Sequence, residues 1–331
     1  MSTFAAVVLF VGVVAYAVLG GADYGAGFWD LTAGGAEQGK RPRHLIDESL
    51  APVWEANHVW LIFCLVMLWT GFPTAFAAIM TTLYIPLGLA ALGIVLRGSG
   101  FAFRKVVVRV EQQRVAGAAF AISSVITPFF LGTVAGAIAS GRVPTSGYGD
   151  PLRSWLAPTP LLGGGLAVLA CAFVAAVFLT GEARLRDDTE LDVWFRRRAQ
   201  VIAVVTGTVA LVGIGVLHAD ARHLFEELLA RGLPLVIASA ACGLAAILLV
   251  RRAAPRVLQA LAVTAVATIV LGWGVAQYPY LLGTHLSISR AAAPEPTLWA
   301  LTVVAAVALL VVVPATALLF NLEQRGQLDT H

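Results

Sequence analysis

Long apolar runs, separated by short polar stretches, set the pattern of this chain. A helix crossing a hydrocarbon core of about 30 Å needs about 20 mainly apolar residues. Nine runs qualify, at about 4–24, 55–71, 73–97, 114–139, 160–180, 199–218, 233–250, 257–279 and 298–320. The stretch 55–97 is too long for one span, and Gly71-Phe72-Pro73 supplies a proline break within it, so it divides in two. The first run has no Lys or Arg before it and no convincing A-x-A cleavage site, and reads as a retained helix rather than a signal peptide. The longest connections, 25–54, 140–159, 181–198 and 280–297, are rich in Gly, Pro and charge and too short to build a core of their own. No 20–50-residue repeat and no low-complexity tract interrupts this order. The pattern predicts an all-α polytopic membrane protein, residues 1–331 forming a single integral membrane domain with no soluble domain.

Composition agrees. Of 331 residues, 59% are hydrophobic and 12% charged, with a mean hydropathy of +0.85. Soluble domains carry roughly 25% charged residues, so a cytosolic enzyme, a nucleic-acid binder and a disordered tail are excluded. The net charge of +3 matters less than where the cations sit. With nine spans, seventeen of the 22 Lys and Arg residues fall in one set of connections and five in the other. The positive-inside rule then puts the N-terminus outside and the C-terminus in the cytoplasm. Cys64, Cys171 and Cys242 lie in apolar runs without a CxxC pair and read as small core hydrophobes.

Ionisable groups at membrane depth are costly and usually face a protein interior or a water-filled path. Two clusters meet this description, both near the cytoplasmic side by the charge count. The first, Gly20-Gly21-Ala22-Asp23-Tyr24-Gly25-Ala26-Gly27-Phe28-Trp29-Asp30, ends the first span. Its glycines permit close helix approach, and Gly21-xxx-Gly25 has the small-xxx-small spacing. The plain alternative is a loosened helix end with Asp23 solvated at the interface. The second, Pro52-Val53-Trp54-Glu55-Ala56-Asn57-His58-Val59-Trp60-Leu61, opens the second span. Glu55 and His58 share a helix face. Two ligands without partners elsewhere make a metal site the weakest reading, which leaves a proton relay or a helix-start carboxylate favoured by the dipole. Trp54 and Trp60 read as packing or interfacial anchors. Arg97 reads as an anchor at the cytoplasmic end that pairs with one of these acids or snorkels to the headgroups.

Haem ligation by this chain alone is not expected. His58 lies near the cytoplasmic face and His218 and His285 near the outer one, about 30 Å away. His44, His223 and His331 are loop or tail residues. The paired in-helix histidines of a di-haem bundle are absent.

At these motifs the chain resembles subunit II of the cytochrome bd-type quinol oxidases. Gly20 to Gly27 is similar to that family's G-x-D-F/Y-G-x-G ending helix 1, and Trp54 to Leu61 to its W-D-G-N-E-x-W-L opening helix 2. Phe72-Pro73, Tyr84-Ile85-Pro86-Leu87, Leu96-Arg97, Phe101-x-Phe103-Arg104, Leu161-Leu162-Gly163-Gly164, Leu179-Thr180-Gly181-Glu182, Gly272-Trp273-Gly274 and Tyr278-Pro279-Tyr280 follow in the same order. The chain departs from the family where Glu55 replaces Asp, Ala56 replaces Gly and His58 replaces Glu. Glu55 keeps an acid on a longer arm, while His58 adds a group that titrates near neutral pH.

The resemblance implies two four-helix bundles plus one extra helix, in a multi-pass subunit of the bacterial cytoplasmic membrane. It implies a heterodimer with a haem-bearing subunit I, which holds haem b, haem d in the usual members, and the quinol site. Small accessory subunits, lipid and quinone are further expected partners, and nucleic acid is not. The complex would oxidise quinol and reduce dioxygen, with this chain as scaffold and cytoplasm-side proton route through Asp23, Glu55, Asn57 and His58. No catalytic residue and no metal ligand is expected on this chain. The rival reading is a stand-alone secondary transporter with Asp23 and Glu55 at its coupling-ion site. Such transporters show repeats and broken helices at the bilayer midplane, whereas here the acids sit at helix ends on one side and no repeat is found.

Overall fold

The computed structural model describes residues 1–35, 37–50, 54–106 and 110–324. Helices carry nearly all of it: α1 (Ser2–Leu31), α2 (Lys40–Leu50), α3 (Trp54–Gly71), α4 (Pro73–Thr82), α5 (Tyr84–Val106), α6 (Val110–Ala139), α7 (Pro158–Leu185) and α8 (Thr189–Asp220). After α8 come α9 (Arg222–Glu227), a π-helical turn (Leu228–Gly232), α10 (Leu233–Leu249) and α11 (Pro255–Gln277). A two-stranded hairpin, β1 (Tyr280–Leu282) with β2 (Leu286–Ser287), then α12 (Ile288–Ala291) and α13 (Glu295–Gln324) complete the order.

Among the described residues seven helices are long and apolar enough to cross a membrane, or eight if the bent pair Asn57–Gly71 and Pro73–Thr82 is one span. The shorter apolar segment Tyr84–Gly100 stands apart from that count, so among the described residues seven or eight of the nine expected spans meet it. The difference lies in 73–97. Proline at the start of α4 follows a bend of 116°, and the ladder breaks again at Leu83. Pro86 has no N–H to give to the carbonyl four residues back, so it fits only in the first turn of a new helix, α5. The expected single run is a short helix α4 followed by α5, which extends to Val106.

The packing groups α1, α3, α5 and α6 on one side and α7, α8, α10 and α11 on the other, with α13 against α1 and α3. The halves meet where α1 and α6 lie along α7. One core fills the space between the C-terminal half of α1, α2, α7, α8, α10 and α11, around Phe195, Ile46 and Leu258. The other surrounds the start of α1, α4, the hairpin and α13, around Phe72, Leu83 and Leu282. The outer helices show apolar side chains to their surroundings: Leu211 on α8 is 70% exposed and Leu310 on α13 is 75% exposed. In water that surface would aggregate; against lipid or a partner helix it is the favoured one.

The connections gather at two ends. At one, Arg41 of α2 pairs with Asp188 at 2.7 Å and with Glu190, Arg186 pairs with Glu48, and Arg184 donates to the carbonyls of Ala253 and Val250. This end holds the turns α1–α2, α7–α8 and α10–α11. At the other, Arg142 pairs with Asp220, Asp220 Oδ2 accepts the Thr159 N–H at 3.0 Å, and the Ala293 N–H reaches the Gly71 carbonyl at 2.8 Å. The alternation that the Lys and Arg count assumes is thus present in the fold. The connections are more ordered than expected, since α2, α9 and the hairpin cap the helix ends.

Candidate functional site

The two polar clusters converge where α1, α3, α5 and α6 approach the α2 end. Helix α1 does not loosen at Asp23. It continues through Leu31, which leaves Asp23 inside the helix, about 12 Å along the axis from its end. The glycines allow this. A Cβ at Gly25 would stand 1.9 Å from the Cys171 carbonyl oxygen of α7, and one at Gly27 would stand 2.1 Å from Ser124 Oγ of α6. Only residues without a Cβ let α1 lie this close to both neighbours. Trp29 then donates its indole N–H to the Ala172 carbonyl at 2.8 Å, fixing α1 against α7.

Asp23 is 2% exposed, and its partner is Arg97, 1% exposed, from α5. Arg97 Nη2 donates to Asp23 Oδ1 at 2.6 Å and to the Asp23 carbonyl at 2.9 Å. Nη1 donates to Ser124 Oγ, which in turn donates to the Phe120 carbonyl at 2.6 Å. The guanidinium lies over the rings of Phe120 (4.4 Å) and Tyr24 (4.9 Å). Arg97 is therefore neither solvated nor snorkelling. Charge, fork geometry and two aromatic faces all hold it in place, a combination a lysine does not reproduce. Asp23 Oδ2 and Arg97 Nε are buried without a hydrogen-bond partner among the described residues.

Beside the ion pair runs a line of three rings. Tyr24 OH is 3.4 Å from His58 Nε2 of α3 and 3.0 Å from Tyr16 OH. The rings meet edge to face, at 6.3 Å between Tyr24 and His58 and 6.5 Å between Tyr16 and Tyr24. Tyr24 is buried, while Tyr16 and His58 are half-buried. Asn57 is buried on the same helix as His58, and Trp60 is buried with its ring edge-on to Phe63 at 6.2 Å. The side chains of Trp54 and Glu55 lie outside the described residues; the backbone of both belongs to α3.

Asp23, Arg97 and His58, far apart in sequence, thus come together, with Asn57 next to His58 in α3. Sequence reasoning passed over Tyr16, Tyr24 and Ser124. For Ser124 a signal existed: Ser123, Ser124 and Thr127 place three hydroxyls on one apolar helix, a pattern that marks helix contacts in membranes. No spacing rule singles out Tyr16.

His58 faces Tyr24, His44 pairs with Glu48, and His218 and His285 are exposed. Among the described residues no three His, Cys, Asp or Glu side chains converge to hold a metal ion.

Comparison with known proteins accounts for the whole chain. The family described as cytochrome bd terminal oxidase subunit II matches residues 1–322. Cytochrome bd ubiquinol oxidase subunit 2 of Bacillus subtilis is 27% identical over 247 residues, 74% of this chain and 70% of the relative. Cytochrome bd-I ubiquinol oxidase subunit 2 of Escherichia coli is 28% identical over 221 residues, 63% of this chain and 56% of the relative. Among solved structures, a chain of the bd oxidase from Geobacillus thermodenitrificans superposes with a TM-score of 0.83 at 24% identity, covering 100% of this chain and 99% of its own. The helical membrane fold, the order of its motifs and the match from residue 1 to residue 322 leave one assignment: the chain belongs to the cytochrome bd terminal oxidase subunit II family.

Proposed function

We propose that this chain is the non-haem subunit of a membrane-bound bd-type quinol:oxygen oxidoreductase. In this reading it holds a haem-bearing subunit I and leads protons inward from the α2 end, which faces the cytoplasm, while the N-terminus lies outside. Haem on the partner, when bound, passes electrons from quinol to dioxygen. That reduction consumes protons, and this chain's part is to bring them through a layer of apolar helix.

One observation carries the proton role. Asp23 is a buried carboxylate with one oxygen held by Arg97 and the other without a partner among the described residues, and Tyr24, the next residue of the same helix, contacts His58. A carboxylate buried solely for stability would satisfy both oxygens, because an unmet buried polar atom costs about 1–3 kcal/mol. The open oxygen suits a water molecule entering from the α2 end. Arg97 fixes Asp23 in direction, and in this reading the Asp23 carboxyl group is the focus for an incoming proton. Glu55, Asn57 and His58, one turn of α3, line the same approach in this proposal.

Two substitutions test it in the purified complex. Glu55→Gln should slow quinol oxidation while the partner's haem spectrum stays intact, and Glu55→Asp, which keeps the acid, should be far milder. Asp23→Asn should slow turnover in the same way. Unchanged rates in both the Gln and Asn variants would refute the route.

A further inference from the structure

The ion pair does not explain why two tyrosine hydroxyls and an imidazole stand in contact inside an apolar helix bundle. Tyr16 and Tyr24 lie eight residues apart on α1, yet their hydroxyls meet at 3.0 Å. The far face of the Tyr24 hydroxyl reaches His58 Nε2 at 3.4 Å. Packing alone does not require this. A phenylalanine fills either ring's volume and keeps the edge-to-face contacts, without the cost of taking a hydroxyl out of water.

We infer that His58, Tyr24 and Tyr16 form a proton relay that extends the route past the Asp23–Arg97 pair towards the membrane interior, with Arg97 as the residue that positions Tyr24. This rests on the proton role proposed above and names its inner half. Each hydroxyl accepts on oxygen and donates its own hydrogen. A proton on His58 Nε2 moves to Tyr24 O, the Tyr24 hydrogen moves to Tyr16 O, and the Tyr16 hydrogen leaves to a water at the half-buried edge of that ring. One proton enters and one leaves, no bond other than O–H and N–H changes, and the hydroxyls then turn back. Arg97 holds the Tyr24 ring by its face at 4.9 Å, and through the Asp23 carbonyl it ties that ring to the backbone of the preceding residue. Asp23 is thereby an electrostatic focus locked by its partner, and the mobile proton passes beside it.

The test uses the intact complex with Tyr24→Phe, Tyr16→Phe and the double variant, reading turnover, solvent deuterium isotope effect and haem content. A positioned acid or base contributes roughly 10²–10⁴-fold, and a gap that water can bridge leaves part of that, so each single variant should lose about tenfold. The double variant should be no slower than either single one, because the groups act as a unit. The isotope effect should rise in all three as proton transfer becomes limiting, while haem content stays at the parent level. Full turnover in both single variants overturns the relay. His58→Gln separates this failure from that of the wider reading: slow turnover in His58→Gln with silent tyrosine variants rejects the relay and leaves the cytoplasm-side route in place. Should Tyr24→Phe fail to assemble, Tyr16→Phe, at the half-buried end, decides alone: a parent rate and isotope effect refute the relay.

Discussion

Replacing Arg97 by Met strips the charge from the centre of α5 and leaves Asp23 a buried carboxylate with both oxygens unmet. The apolar stem is matched in length, while the guanidinium goes with both its ion pair and its place over the Phe120 and Tyr24 rings, so the lost quantity is chiefly electrostatic. Removing one member of a buried pair costs about 3–5 kcal/mol, because the remaining charge is left without compensation. Asp23→Leu strands the guanidinium in the same way and should cost as much. The double variant differs. Replacing both charges with apolar groups is often neutral, and only the Asp23 carbonyl and Ser124 Oγ lose donors, at about 1 kcal/mol each. The double variant should therefore lie within about 2 kcal/mol of the parent, with a coupling of several kcal/mol between the sites. The assay is the unfolding midpoint of the detergent-solubilised complex, followed by far-UV circular dichroism, for all four proteins. A double variant that falls by the sum of the singles would refute the reasoning and make shape, not charge, the cause. The same double variant should be stable and slow in turnover, since it removes the negative focus.

Three further outcomes follow from the geometry. Gly25→Ala places a carbon 1.9 Å from the Cys171 carbonyl, so α1 and α7 must part and little assembled protein should reach the membrane; overpacking of this kind costs about 1–3 kcal/mol or more. Gly21→Ala, whose Cβ would stand 3.5 Å from Cys171 Sγ, should accumulate normally on an immunoblot of membranes. The Asp188 carboxyl caps α8 by accepting the Leu191 N–H at 3.0 Å; that bond, and then Arg41, hold it below the usual carboxylate range. Its stabilisation is complete above the unfolded carboxylate value near 4 and lost as pH falls through the lower folded value. Asp188→Ala should lower the melting midpoint at pH 7 by the equivalent of about 1 kcal/mol, a cap's worth, and the gap to the parent should close as pH falls through that lowered folded value. A cysteine at Ser146 should react with an impermeant thiol reagent from outside the cell and one at Asp187 should not; the reverse pattern would invert the proposed orientation.

The sequence made the helical architecture legible because apolar runs of spanning length admit few other structures in lipid. The position of each span followed from the same pattern, except at 73–97. There, a second break at Leu83 was hidden in one apolar run, because Leu83 carries no polar mark and Pro86 can start a helix as well as end one. The site was half legible. Asp23, Asn57 and His58 stood out as polar residues in apolar company, and Arg97 as a cation close to a span. That Arg97 is buried was not legible, since burial depends on α1 and α6 closing over it, and no local pattern reports a contact across 74 residues. The tyrosines escaped notice for a related reason: a tyrosine near a helix end is ordinary in a membrane protein, and only the approach of α3 turns this one into a hydrogen-bonded line.

The glycine run that suggested a loosened helix end has the opposite effect. By removing side chains at positions 25 and 27 it lets α1 approach α6 and α7 closely enough to expel water from around Asp23. Water is then no longer the carboxylate's partner, and a cation from a third helix must replace it. Arg97 fills that place because its fork reaches Asp23 and Ser124 at once and its flat face rests on Tyr24 and Phe120. Close packing and the buried ion pair are therefore one device: once the helices close, neither charge is tolerated without the other. Among the described residues this closure leaves Asp23 Oδ2 without a hydrogen-bond partner.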